Sequence, residues 1–172
     1  MTVRQLTAGD AAVYQSLRVR CLRENPIAFI TGYSEEADKP LTEMAKRVTP
    51  AADGSYCVFG AFAGEQLVGI LAFIRQAREK IRHCAELCGM YVAPEFCRCG
   101  RGGALLDAAI DHARSLSGLR QLKLTVAATN EAARSLYRSR GFICVGTEPD
   151  AVCVDGCYYD DELYVLRLSN VD

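Results

Sequence analysis

The sequence predicts an α/β (α+β) domain, a mixed and largely antiparallel sheet flanked by helices. Three observations predict it. Residues 56–62 and 67–76 are apolar, β-rich runs separated by Gly64-Glu65, the arrangement of a hairpin. Residues 90–106 carry a strand pattern into a tight, glycine-rich, basic turn that opens directly into a helix. A further strand, helix and strand pair then follow, so both element types mix along one chain. At 172 residues the chain can bury one sizeable core, and a single domain over residues 1–172 is expected.

The first helix starts near Thr7 or Asp10, both capping residue types. Val13, Leu17 and Cys21 follow at i, i+4 spacing and predict one buried stripe. The helix ends by Pro26. Ile27 to Pro40 reads as a loop or broken helix with an acidic run, Glu35, Glu36 and Asp38. A short helix spans Leu41 to Val48 and stops at Pro50. After the 56–76 hairpin, a basic loop (Arg75, Arg78, Lys80, Arg82) leads to a strand at about 83–92. The helix after the glycine turn runs from Gly103 to Ser117. Its stripe is Leu106, Ala109, Ile110, Ala113 and Leu116, with Asp107, Asp111 and Arg114 outside, and Gly118 ends it. Residues 121–127 alternate as a strand. Asn130 caps a helix that Gly141 stops, and strands at about 142–148 and 158–168 finish the chain.

Composition narrows the function. Half of the residues (50%) are apolar and 24% are charged, as in ordinary soluble proteins. The net charge of −1 argues against a nucleic-acid partner. No apolar run is long enough to span a bilayer, and Met-Thr-Val-Arg-Gln-Leu-Thr lacks the apolar core of a signal peptide. A cytoplasmic protein with no membrane partner is expected. The nine cysteines are odd in number, so free thiols are the default. The groupings Cys84/Cys88, Cys97/Cys99 and Cys153/Cys157 contain no Cys-x-x-Cys. His83 and His112 complete no zinc spacing, so no metal is expected. Beside arginines, a redox role for Cys97 or Cys99 stays open.

The stretch Met90-Tyr-Val-Ala-Pro-Glu-Phe-Cys-Arg-Cys-Gly-Arg-Gly-Gly-Ala-Leu-Leu106 builds an anion hole. Glycines admit close backbone approach. The first turn of a helix offers unpartnered N–H groups, and its dipole adds partial positive charge. Arg98 and Arg101 bring full charges to the same place. A phosphate or pyrophosphate is the natural guest. The dinucleotide fingerprint is excluded, because Gly100-x-Gly102-Gly103 is too short. A Walker loop is excluded, because no Gly-Lys-Ser/Thr is present.

Val92-Ala93-Pro94, then Cys97-Arg98-Cys99-Gly100-Arg101-Gly102, then Ala104-Leu105-Leu106 resemble the pyrophosphate loop of the GNAT superfamily of acyl-CoA-dependent N-acetyltransferases. Asn130, Ala133, Leu136, Tyr137, Gly141 and Phe142 match that family's second signature in full, in the right order and with one strand between. Arg4 through Asp10 to Leu17-Arg18 and Pro26 to Phe29 is similar to a bacterial-type GNAT opening, so the resemblance covers nearly the whole chain. Cys97 departs from it, standing where the family prefers Gln or Arg.

The resemblance implies a GNAT-like sheet with a splayed central strand pair and acetyl-CoA as co-substrate. It implies direct acetyl transfer to a primary amine of a small molecule or peptide, without an acyl-enzyme. Cys97, Arg98, Cys99, Gly100, Arg101, Gly102, Gly103 and Ala104 would hold the pyrophosphate. The freed backbone of Met90, Tyr91 and Val92 would hold the pantetheine and polarise the acetyl carbonyl. Asn130, Ala133 and Tyr137 would contact the cofactor. Tyr137, with an ordinary phenol pKa near ~10, would be the general acid toward the CoA sulfur; packing on the sheet is its structural alternative. Glu86, on one face with Cys84 and Cys88, is the candidate general base; an ion pair is its alternative.

Residues 148–162 hold Glu148, Asp150, Asp155, Asp160, Asp161 and Glu162 and no Lys or Arg. With the acidic loop after the first helix they would draw a cationic acceptor, or simply be a solvated loop. Tyr33, Tyr158 and Tyr159 are candidates to shape that pocket. The family allows a homodimer. A non-catalytic acyl-CoA-binding sensor is the alternative of another class, and O-acetylation or longer-chain acyl transfer is a third.

Overall fold

Seven segments of extended chain form one sheet: β1 (Thr2–Gln5), β2 (Tyr56–Ala63), β3 (Gln66–Arg75), β4 (Cys84–Val92), β5 (Gln121–Ala127), β6 (Ile143–Val154) and β7 (Cys157–Arg167). Their order is β1-β2-β3-β4-β5-β7-β6. Every pair is antiparallel except β4–β5, which is parallel and joined through a helix. The computed structural model describes residues 2–168. Met1 and residues 169–172, the two ends of the expected domain, lie outside the described residues.

Among the described residues, five α-helices cover the sheet: α1 (Ala11–Glu24), α2 (Tyr33–Glu36), α3 (Leu41–Val48), α4 (Arg101–Ser115) and α5 (Glu131–Ser139). On one face Phe59, Leu71, Phe73, Leu87, Leu122 and Leu124 pack under Leu105, Leu106, Ala109, Ile110 and Ala113 of α4 and Tyr137 of α5. On the other, Val58, Phe62, Ile70 and Tyr91 pack under Tyr14, Leu17, Cys21 and Leu22 of α1 and Met44 and Val48 of α3. Both faces of the central strands are therefore buried, which is why β2 and β3 read as continuous apolar runs. His112 belongs to this packing. Its ring meets Phe73 edge-on at 4.8 Å, and its Nε2 lies 2.9 Å from the Gly54 carbonyl oxygen.

Four elements differ from the sequence expectation. β1 carries no apolar alternation and forms through its ladder to β2, from Thr2↔Phe62 to Gln5↔Phe59. Val13 is exposed, at 44%, and the buried stripe of α1 is Tyr14, Leu17 and Cys21. Val13 lies about 100° round the helix from Tyr14, enough to turn it out of the core. α4 starts at Arg101, because Gly100 caps it in the left-handed region (φ 75°), and it closes at Ser115, one residue before Leu116. The acidic segment 148–162 is mostly hairpin rather than loop. Its turn is only Asp155-Gly156, with φ of 51° and 78°. Positive φ at both positions is what a two-residue hairpin turn of the favoured hand requires.

Candidate active site

The parallel ladder between β4 and β5 is short. It joins Cys84 to Gln121, Ala85 to Leu122 and Glu86 to Lys123, and goes no further. β4 then stays with β3 up to Val92, and β5 stays with β7 up to Ala127. The sheet splits between them. Gly89 sits in the split with φ 64°, where the β3–β4 register slips. A positive φ at low cost is what glycine supplies. The slip also changes which face each side chain joins. Before it, Ala85 and Leu87 join the α4 face; after it, Tyr91 joins the α1 face while Met90 and Val92 join the α4 face.

The split opens into a cleft of about 640 Å³. Met90, Tyr91, Val92, Cys97, Arg98, Gly100, Arg101, Gly102, Gly103, Asn130, Ala133 and Tyr137 all line it. Cys99 and Ala104 do not. Cys99 is exposed, and the Ala104 N–H already donates to the Gly100 carbonyl at 2.9 Å. Among the described residues, the backbone N–H groups from Arg98 to Gly103 have no partner. Arg98 (φ 59°) and Gly100 (φ 75°) are left-handed, which curls these amides into a concave nest for an anion. Arg101 adds a guanidinium whose Nε is buried without a partner, while its Nη1 donates to the Phe96 carbonyl at 3.2 Å. Gly102 allows α4 to seat: a Cβ there would come within 3.2 Å of Leu136 and 3.3 Å of Met90. The Cys97 thiol donates back to the Val92 and Ala93 carbonyls at 3.5 and 3.6 Å.

Tyr137 reaches the cleft from α5. Its Oη donates to Met90 Sδ at 3.5 Å, and burial pushes the phenol up to about 12. The Asn130 side chain caps α5, accepting from the Ala133 N–H at 3.1 Å. Arg134 holds the helix against β7. Its Nε and Nη2 donate to the Glu162 carboxylate at 2.9 and 2.8 Å, and its Nη1 to the Ala128 carbonyl at 3.1 Å. Sequence reasoning does not single out Arg134, because its partner lies 28 residues away.

A second cavity, of about 410 Å³, abuts the first. The two share Ala28, Phe29, Leu87, Cys88, Gly89 and Thr125. Glu86 lines this second cavity, and no side chain pairs with its carboxylate among the described residues. Tyr14, Arg18, Glu36, Arg47 and Tyr56 line it too; of these the sequence pointed only to Glu36, as one acid of the loop after the first helix. Glu36 is 2% exposed. Arg47 donates to both of its oxygens at 2.8 and 2.7 Å, and Lys39 adds a bond at 3.3 Å. Burial pushes Glu36 up, but these cations outweigh it and hold the carboxyl below its ordinary value. The acids of 148–162 line neither cavity, and nor do Tyr33, Tyr158 and Tyr159. Glu162 is engaged by Arg134 and by the Tyr164 hydroxyl, and Asp160 accepts from the Asp150 N–H.

A sequence model described as the acetyltransferase (GNAT) family matches residues 18–142. No curated protein matches. Among solved structures, the acetyltransferase of GNAT family from Streptococcus pneumoniae is 24% identical with a TM-score of 0.87, covering 98% of this chain and 99% of that one. Ribosomal-protein-alanine N-acetyltransferase from Brucella melitensis is 25% identical with a TM-score of 0.84, covering 98% and 100%. The yncA protein from Salmonella typhimurium, solved with its cofactor acetyl-CoA, is 22% identical with a TM-score of 0.84, covering 100% and 96%. The chain shares their fold over essentially its whole described length.

Proposed function

We propose, on the premise that this chain belongs to the acetyltransferase (GNAT) family, that it moves an acetyl group from acetyl-CoA to a primary amine of a small molecule or peptide. One observation carries this reading. Two cavities meet at the split between β4 and β5; one carries the amide nest and Tyr137, the other carries Glu86.

The cleft suits acetyl-CoA on its own features. Six amides without a partner among the described residues, and the guanidinium charge of Arg101 on the same cleft, are donors suited to a pyrophosphate. The parted edges of β4 and β5 leave backbone groups free for an extended, amide-bearing chain such as pantetheine. A thioester supplies an electrophilic carbonyl and a thiolate leaving group.

The residues of the chain supply the proton traffic. Glu86 takes one proton from the acceptor ammonium, directly or through water, and passes it to solvent. The amine nitrogen bonds to the acetyl carbon as the carbon–sulfur bond breaks. Tyr137 gives its proton to the departing sulfur and is refilled by the surplus proton on nitrogen. Two features of the phenol support this role. It is kept protonated by burial, and its present partner is a thioether sulfur, a weak acceptor from which the proton is easily withdrawn. All nine cysteines are free and five are exposed, which suits a reducing, cytoplasmic setting.

The test is acetyl-CoA with a panel of amines, products being read by mass spectrometry. Thiol-reactive dyes are unsuitable, because the exposed cysteines would respond. An acetylated amine is the expected result. Tight acetyl-CoA binding with no product on any amine would overturn the catalytic reading in favour of a cofactor sensor.

A further inference from the structure

We propose that the acceptor carries its own carboxylate a few atoms from its amine, as an amino acid does, and that Arg18 receives that carboxylate. This rests on the acetyl-transfer reading above and names its substrate class.

The observation is an unmatched cation. Arg18 projects from α1 into the second cavity, its Nε is buried with no partner, and no carboxylate pairs with it among the described residues. The other arginine of that cavity, Arg47, is engaged by Glu36. The chain has 21 acidic residues against 20 basic ones, so acids are not scarce. A guanidinium partly withdrawn from water without a partner is costly, and a ligand anion relieves the cost. Its planar fork suits a carboxylate held by two parallel bonds. Its Cζ lies over the Phe29 ring, 5.1 Å from the centroid, a cation–π contact that helps hold the guanidinium at the cavity.

Position narrows the ligand further. Arg18 Nη1 would lie 3.7 Å from a Cβ built on Gly89. Gly89 and Phe29 line both cavities, so Arg18 stands where acceptor meets donor. The amine must reach that same junction to attack a thioester. An acid group on Arg18 is then only a few bonds from the amine. Glu86, on the same strand as Gly89 and unpaired among the described residues, takes the ammonium end. The thiol of Cys88 registers both charges: burial raises its pKa first, Glu86 raises it further, and Arg18 pulls it back. A cavity of about 410 Å³ has room for a small zwitterion. A polyamine would instead bring cations against Arg18, a repulsion that discriminates against it.

The experiment offers the full chain and acetyl-CoA matched sets: free L-α-amino acids, their α-amides, and the corresponding decarboxylated amines. Turnover is read by mass spectrometry, and binding to the CoA complex by calorimetry. The acid-bearing members should be preferred by about tenfold or more in kcat/KM, as the loss of a charge-assisted pair implies. Arg18→Met should erase that preference through KM, Arg18→Lys should restore part of it, and the acetyl-CoA Kd should not move in either. Equal use of acids, amides and amines overturns the proposal, as does an Arg18→Met loss that falls equally on all three. Transfer to acid-free amines alone would overturn the substrate class and leave the acetyltransferase reading standing. Arg18-dependent binding of free amino acids with no transfer would do the reverse, keeping the recognition site and overturning the chemistry.

Discussion

In the proposed transfer Tyr137 is the general acid, and its surroundings make that role measurable. The phenol is 6% exposed, and burial alone pushes it up to about 12. It therefore stays protonated at every pH where the enzyme would be assayed. Turnover should show no descending limb from this group below about pH 10, the ordinary phenol value. Tyr137→Phe keeps the ring packed against Phe142 and Tyr164, at 6.0 and 6.2 Å, and removes only the proton. We expect kcat to fall about 100-fold, with the acetyl-CoA Kd within about twofold of wild type. Unchanged kcat would remove Tyr137 as the acid. Tyr137 and the loop residues were legible in the sequence because both lie in compact motifs. Arg18 and Arg47 were not singled out, and Glu36 was read only as one acid of the loop after the first helix, because the cavity they share is assembled from segments distant along the chain and only the fold shows which charges are paired.

At the scale of elements, two short structures hold the site open. The first is the nest before α4. Gly100 needs its left-handed φ of 75°, although a Cβ there would meet nothing within 4 Å. Gly100→Ala should therefore act through the backbone alone, costing about 1 kcal/mol and weakening acetyl-CoA binding by up to about tenfold. An unaltered Kd would show that the amides of residues 98–103 do not grip the cofactor. The second is the α2–α3 clamp, in which Glu36 ties Arg47 and Lys39 beside the second cavity. Glu36→Gln should cost about 2 kcal/mol at neutral pH, less than a fully buried pair because both cations are partly exposed, and should lower Tm by about 4–8 °C. The folded carboxyl lies below its ordinary value, so its contribution is present above the unfolded value of about 4.3 and fades as pH falls through the folded one. Wild type and variant melting curves should converge in acid; a constant gap would contradict the assignment. The sequence marked the α3 boundaries correctly, since Pro40 and Pro50 bracket it. It misread the last hairpin, where six acids suggested a loop although Asp155-Gly156 is a strong hairpin turn signal.

For the molecule as a whole, the split sheet is the feature from which function follows. A continuous sheet pairs every interior strand on both edges, yet here β4 beyond Glu86 and β5 beyond Lys123 have lost each other as partners. Apolar runs and turn residues announce strands, but they do not say where two neighbours part. That depends on the register slip at Gly89 and on β5 following β7 instead of β4. The resemblance to a family, not periodicity, supplied this expectation, and the ladder bears it out. An exposed pair of edges invites pairing with another extended chain. If pantetheine is that chain, acetyl-CoA should slow amide exchange in two places at once: along residues 87–92 of β4 and in the nest from residue 98 to 103. The β2–β3 hairpin, already paired on both edges, should exchange at the same rate with and without cofactor. Hydrogen exchange read by mass spectrometry resolves these segments. Protection confined to the nest would mean that the phosphates bind while the split serves another purpose. Protection spread evenly over the sheet would point to general stiffening rather than to a ligand lying along the parted strands.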